Sequence, residues 1–194
     1  MKREIILASS SPRRKELLGG LLSSFGLKFK VIPSHADESF DRRNSFPAIV
    51  KELALQKAKV VAETNDGIII SADTIVVLDK KILGKPSSKS DAKKMLMHLS
   101  GKTHKVYTGL VVMDTRENEI LKTYECTKVT FRKLGKDEVD FYVKSGSPMD
   151  KAGAYGIQDD FGCVFIEKIE GDYFNVVGLP MMKLYLVLRK LNVC

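Results

Sequence analysis

The stretch that most constrains this chain is Ile68-Ile69-Ile70-Ser71-Ala72-Asp73-Thr74-Ile75-Val76-Val77-Leu78, which follows Gly67. An apolar run of this length, rich in β-branched residues, suits a central strand buried on both faces. Asp73 interrupts it. A carboxylate in such a place must be paired, hydrogen-bonded or metal-bound, because desolvating it bare is very costly. The structural alternative is a strand end at which Asp73 caps a turn, and the residues alone leave both readings open.

The start of the chain is equally pointed. Ile5-Ile6-Leu7-Ala8 opens into Ser9-Ser10-Ser11-Pro12-Arg13-Arg14. This reads as a buried strand, a serine-rich turn, and a helix with Pro12 at its first position and a serine as its cap. A helix start leaves backbone N–H groups unpaired and positive, so it is a ready anion site. Arg13 and Arg14 in the first turn oppose the helix dipole. An anion at the turn would relieve that conflict and points to phosphate. A plain capped junction with solvated arginines is the alternative. The turn is neither a P-loop nor a dinucleotide-binding glycine turn.

Further along, a second strand is expected over 28–32, leading into a loop that carries Glu38. A helix capped by Ser45, with Pro47 near its first turn, should run through 62. Val50, Ala54, Lys57 and Val61 share one face of it at helical spacing, so Lys57 sits on or beside an apolar stripe. It must snorkel, the commoner outcome, or meet an anion. Asp79-Lys80-Lys81 reads as a hairpin turn, and Gly84 and Pro86 fix an extended, exposed backbone around Lys85. Ser90 is expected to cap a helix through 99 that stops at Gly101. Strands should cover 105–113 and 119–131, and a helix 136–143. In Asp150-Lys151-Ala152-Gly153-Ala154-Tyr155-Gly156-Ile157-Gln158, small residues would let backbone approach a ligand, and Gln158 offers both donor and acceptor. Composition alone favours a surface loop there. Two short strands, 163–169 and 173–177, then precede a C-terminal helix whose leucines and methionines read as core. There is no internal repeat and no linker, so residues 1–194 read as a single domain, long enough for two lobes around a cleft.

Charge narrows the ligand class. Lys and Arg total 32 against 24 Asp and Glu, a net +8, which favours anionic partners. A lysine-rich surface also serves solubility. Interleaved stacking aromatics and a nucleic-acid module are missing, so no stable nucleic-acid complex is expected. No stretch approaches a membrane span and the N-terminus lacks a signal pattern. Cys126, Cys163 and Cys194 lack metal-ligand spacing and suit free thiols in the cytoplasm. His35, His98 and His104 make no zinc set. An anion cradle, carboxylates at Glu38 and Asp73, two conspicuous lysines and a glycine-rich loop suit a phosphate ester or anhydride. Mg²⁺ is commonly held by one or two carboxylates plus substrate phosphates, so this inventory needs no histidine.

An ordered series of motifs resembles the Maf family of nucleoside triphosphate pyrophosphatases. It comprises the stretch from Leu7 to Arg14, Asp37-Glu38, Lys57-Ala58, Ala72-Asp73-Thr74 and Gly84-Lys85-Pro86. It continues with Ser100-Gly101-Lys102-Thr103-His104, the segment from Asp150 to Gln158, and Val177-Gly178-Leu179-Pro180. The resemblance implies the inosine-triphosphatase-like (Maf/Ham) fold: α/β, with a long mixed twisted sheet, flanking helices and a cleft between two lobes. It implies that Ser10 and Arg13 form a Ser-x-x-Arg phosphate element, joined by Arg14. It places Glu38, Lys57, Asp73, Lys85 and Gln158 in the active site, with Asp73 as proton acceptor. Glu38 and Asp73 would bind a divalent cation, Mg²⁺ or Mn²⁺. Arg13, Thr74 and Gln158 match the pattern of the dTTP/UTP type, with modified pyrimidine triphosphates as related substrates. The implied products are nucleoside monophosphate and pyrophosphate. A homodimer and a link to septum formation and arrest of cell division are also implied. The one departure is a slightly long stretch around 19–26. A nucleotide- or nucleic-acid-binding regulator without turnover is the competing reading, and a phosphatase or sugar-nucleotide transferase on a similar scaffold is a third.

Overall fold

The computed structural model describes residues 3–159 and 161–194. Its elements are β1 (Ile5–Leu7), α1 (Pro12–Ser23), β2 (Lys30–Val31), α2 (Phe46–Ala62), β3 (Ile68–Leu78), β4 (Lys81–Leu83) and α3 (Lys89–Leu99). They continue as β5 (Thr103–Asp114), β6 (Glu119–Phe131), α4 (Lys136–Lys144), β7 (Ile166–Glu170), α5 (Tyr173–Val177) and α6 (Met181–Lys190). The sheet runs β2-β1-β3-β5-β6-β7, with β4 paired to β3. It is mixed: β1 is parallel to β2 and β3, whereas β3–β4 and β6–β7 are antiparallel. The apolar run is indeed an interior strand, buried along its length except for the half-buried Thr74.

The chain divides into two compact units, the first made of Met1–Asp73, Thr108–Glu125 and Gly178–Cys194. Alternation along its strands feeds two cores. Ile5, Leu7, Ile68 and Ile70 pack with Leu18 and Leu22 of α1 and Leu184 and Leu188 of α6. Ile6, Ala8, Ile69 and Val111 pack with Ala54, Ala58 and Val61 of α2. Residues i and i+2 on a strand share a face, so β1–α1–β2–α2–β3 is wound with helices on both sides. Gly109 makes the second packing close: a Cβ there would lie 2.1 Å from the Val50 carbonyl oxygen. The predicted second strand shrinks to two residues. The long stretch around 19–26 is taken up by the end of α1 and a turn at Gly26, whose φ is +62°. The C-terminal helix is only half core, since Met182 and Leu186 are exposed.

The second unit is Thr74–Tyr107 with Cys126–Val177. Its core joins Val76 and Leu78 of β3, Leu96 and Leu99 of α3, Phe131, and Tyr142 of α4. Leu78 pairs with Lys81, so the hairpin turn is Asp79-Lys80 alone, both at positive φ (49° and 62°) as a two-residue primed turn requires. Lys81 belongs to the strand. The cap of α3 is Ser88 rather than Ser90: its hydroxyl accepts from Asp91 N at 3.1 Å, and the Asp91 carboxylate returns to Ser87 N at 2.9 Å. Residues 173–177 are helical rather than extended. Asp172 accepts from Phe174 N at 2.8 Å and starts the turn, and the buried Asn175 donates to Val106 O and Thr127 Oγ1 at 3.0 and 2.9 Å. Those anchors, one local and two far along the chain, override the β-propensity of Tyr173, Phe174 and Val176. The strand expected over 163–169 begins only at Ile166, after a 3-10 turn.

Candidate active site

In the first unit β1 lies between two parallel partners: Ile32 N donates to Leu7 O at 3.0 Å and Ala8 N to Ile70 O at 2.8 Å. Past the carboxyl ends of β2 and β1 come the Glu38 loop and the turn from Ser9 to Arg14, and Asp73 follows Ile70 along β3. The chain winds from β1 outward to β2 and then back across to β3. Such a switch point, beyond the carboxyl ends of parallel strands, is where open α/β sheets bind ligands.

At the turn, Ser11 caps α1 through its Oγ, which accepts from Arg14 N at 3.4 Å. Ser9, buried, accepts from Ser11 N at 3.2 Å and from Arg14 Nη1 at 3.3 Å. Arg14 Nε donates to Gly178 O at 2.8 Å. Burial pushes the Arg14 guanidinium below its ordinary pKa; the charges of Asp73 and Glu38 act against that shift and Arg13 adds to it. The arginine–dipole conflict is thus met partly from within, by Gly178, Ser9 and two carboxylates. Ser10 is exposed and Arg13 half-buried.

Lys57 meets its anions in the chain itself. Asp73 stands on the same strand face as Ile69 and Ser71, and Ser71 Oγ donates to Ala54 O of α2 at 2.7 Å. One helical turn further along α2, Lys57 Nζ lies 2.5 Å from Asp73 Oδ1 and 2.9 Å from Glu38 Oε1. Its side chain is 13% exposed, that of Asp73 10%, and that of Glu38 56%. Gln56 ties the loop to the same helix by donating to Ser39 O at 2.8 Å. The buried carboxylate is therefore paired, not a turn cap.

Thr74, Lys85 and Gln158 belong to the second unit. Thr74 is half-buried in β3, Lys85 is exposed beyond β4, and Gln158 is exposed. The segment from 151 to 157 is not a surface loop; apart from the half-buried Ala152 it is buried. Its glycines serve internal packing. A Cβ on Gly153 (φ +72°) would lie 3.1 Å from the Val76 methyls, and one on Gly156 would lie 2.4 Å from Asp159 Oδ1. Gly153 N also donates to Gly84 O at 3.0 Å, joining this segment to the Lys85 strand end.

Sequence reasoning missed Ser9, Gln56, Gly109 and the Gly178 carbonyl. Gly109, lodged in a strand among apolar residues, carried a readable signal of close backbone approach; the others are visible only through their partners. Among the described residues no group of three or more His, Cys, Asp and Glu is placed to hold a metal. Glu38 and Asp73 supply two hard oxygen donors that converge on the Lys57 ammonium. That set fits Mg²⁺ or Mn²⁺ when substrate phosphates complete the ligand shell.

A family model described as Maf-like protein matches residues 4–191. The chain belongs to that family. This Maf-like chain is 50% identical over 192 residues to a dTTP/UTP pyrophosphatase of Bacillus anthracis, covering 98% of this chain and 97% of the other. It is 49% identical, with the same coverage, to a dTTP/UTP pyrophosphatase of Bacillus cereus (strain AH820). Among solved structures, a HAM1 protein from Coxiella burnetii matches with a TM-score of 0.53 at 18% identity, covering 98% of this chain and 100% of that one. The likeness bears out the expected Maf/Ham type of α/β fold, with its mixed sheet and flanking helices. No helix among the described residues is long and apolar enough to cross a membrane.

Proposed function

We propose that this Maf-like chain hydrolyses dTTP and UTP to the nucleoside monophosphate and pyrophosphate, and that it does so in the cytoplasm. The observation that carries the reading is the Lys57 ammonium set between Asp73 and Glu38 beyond the carboxyl end of parallel strands, on the sheet side where Ser9 to Arg14 open a helix N-terminus. The similarity to proteins named dTTP/UTP pyrophosphatase supports the substrate.

In the proposed reaction Asp73 takes a proton from water as the water oxygen bonds to phosphorus and the bridging P–O bond between the α- and β-phosphates breaks. Ser10, Arg13 and the N–H groups at the start of α1 bind phosphate oxygens, as a helix N-terminus does. Arg14, held by Gly178 and Ser9, keeps that turn in shape. Lys57 and Lys85 place positive charge where negative charge builds up. Glu38 and Asp73 would hold a divalent metal together with the phosphates, and the metal would supply neutralisation of the triphosphate charge. Thr74 and Gln158 select the base, Gln158 through an amide that matches the donor and acceptor edge of uracil or thymine.

The test is product identification with Mg²⁺ or Mn²⁺ over a panel of ribo- and deoxynucleoside triphosphates. Pyrophosphate plus monophosphate, fastest from dTTP and UTP, is the expected result. Release of orthophosphate would mean a different hydrolase, and binding without turnover would favour the regulator. Asp73→Asn should lower kcat by about a thousandfold, the scale of a lost general base, while nucleotide binding persists.

A further inference from the structure

Gln158 is the exposed residue of an arch that is otherwise held from inside. Before it, the Tyr155 hydroxyl and His104 Nε2 lie 2.7 Å apart in the core, with the Phe131 ring edge-on to Tyr155 at 4.8 Å. Ile157 is buried. After it, Asp159 Oδ2 accepts from the Tyr142 hydroxyl at 2.5 Å and from Ser147 Oγ at 2.7 Å, with Lys151 Nζ 3.4 Å away. The Tyr142 oxygen also accepts from Gly156 N at 3.2 Å, so one hydroxyl grips the arch on both sides of Gln158. Lys151, its side chain 9% exposed, is fixed in turn by Ser147 O at 2.5 Å and Asp150 Oδ1 at 2.7 Å. The absent side chain of Gly156 lets Asp159 fold back onto this network.

Enclosing an ammonium, a carboxylate and a phenol carries a large desolvation penalty, and apolar packing would hold a loop equally well. What a satisfied polar network adds is one defined geometry. A glutamine that reads a base edge needs that: its amide must be placed within about 0.5 Å, and its flexible side chain gains from a rigid base.

We propose that Tyr142 and Asp159 are positioning residues that set Gln158 for pairing with the uracil or thymine edge. This rests on the reading of Gln158 as a base-selecting residue. CTP is the discriminating probe, because cytosine presents a donor where uracil presents an acceptor.

The experiment measures kcat and KM for UTP and CTP with the wild type, Tyr142→Phe, Gln158→Ala and the double variant. Tyr142→Phe should lower the UTP:CTP ratio of kcat/KM by about tenfold, chiefly through KM for UTP, with kcat for UTP kept within about threefold. Because both act through one amide, the double variant should show no further fall beyond Gln158→Ala. An unchanged ratio in Tyr142→Phe, beside a collapsed one in Gln158→Ala, overturns the positioning role and leaves the Gln158 reading standing. An unchanged ratio in Gln158→Ala overturns both. Equal losses on UTP and CTP would reduce Tyr142 to a purely structural part. Should Tyr142→Phe fail to fold, Ser147→Ala, which removes one bond to Asp159, faces the same outcomes.

Discussion

Acid should destabilise this protein through His104, and the size of the effect follows from where the ring sits. His104 is 1% exposed, edge-on to Phe131 at 5.1 Å, and its Nδ1 has no hydrogen-bond partner among the described residues. Burial pulls its pKa from the ordinary 6.5 down to about 4. Well above pH 6.5, as at pH 7.5, the ring is almost wholly uncharged in both folded and unfolded chains and contributes little pH dependence. As pH falls below 6.5 the unfolded chain takes up the proton and the folded one does not, so stability is lost until the folded pKa is reached. The loss from this group is about 2 kcal/mol at pH 5 and about 3 kcal/mol at pH 4. Other titrating groups act too, so the assay is a difference: urea unfolding of wild type and His104→Gln at pH 7.5 and pH 5. Whatever the variant's stability at pH 7.5, the wild type should lose about 2 kcal/mol more on acidification. Parallel losses in the two proteins would refute the account, because the buried neutral ring would then contribute nothing to the pH dependence.

Lys57→Met should destabilise the fold by about 3 kcal/mol, since it strands the largely buried Asp73 charge; a midpoint in urea unchanged from wild type would contradict the pairing. Gly109→Ala should be worse than an ordinary surface change, by about 3 kcal/mol, because the added methyl meets the Val50 carbonyl backbone rather than a movable side chain. Thermal unfolding at the wild-type temperature would show that α2 can shift. Ser88→Ala should lose about 1 kcal/mol of stability as a lost cap, while Ser90→Ala stays within about 0.5 kcal/mol; the reverse order would return the cap to Ser90.

The elements whose signal lies in periodicity were legible before the structure. The run 68–78 gave its strand because unbroken β-branched residues suit an interior position, and Ser45 with Pro47 marked the start of α2 correctly. Errors fell where a distant partner decides. Residues 173–177 carry strand-like propensity, and what makes them helical is Asn175 reaching Val106 and Thr127, far along the chain. The cap of α3 is the exception, because its partner is local: Ser88-x-x-Asp91 is a capping-box spacing, and Ser88 accepts from Asp91 N while the Asp91 carboxylate turns back to Ser87 N. Segment 151–157 looks like a loop in composition, yet Gly153 is there to admit the Val76 side chain. In the site the sequence named the awkward groups, Lys57 and Asp73, by their unsuitability for an apolar surface. It could not say that each is the solution to the other.

That mutual solution also shapes the proposed chemistry. Lys57 donates to Asp73 Oδ1 at 2.5 Å, so the ammonium takes one oxygen of the carboxylate and leaves Oδ2 to accept the proton of the attacking water. In the proposed reaction Asp73 can take that proton with Lys57 still in place, and drawing Lys57 toward the phosphates frees Oδ1 as well. A triphosphate is a stronger attractor than one carboxylate, and Glu38, with its side chain 56% exposed, is the more solvated of the two partners of the ammonium. The resting arrangement therefore holds the carboxylate oriented and paired despite its burial. In the proposed reaction, substrate phosphate would draw the ammonium from holding Asp73 to stabilising the charge that develops on the leaving group. On that reading one lysine would answer both the folding problem of a buried aspartate and the catalytic problem of a departing pyrophosphate; the pairing with Asp73 already accounts for its place on the apolar stripe of α2.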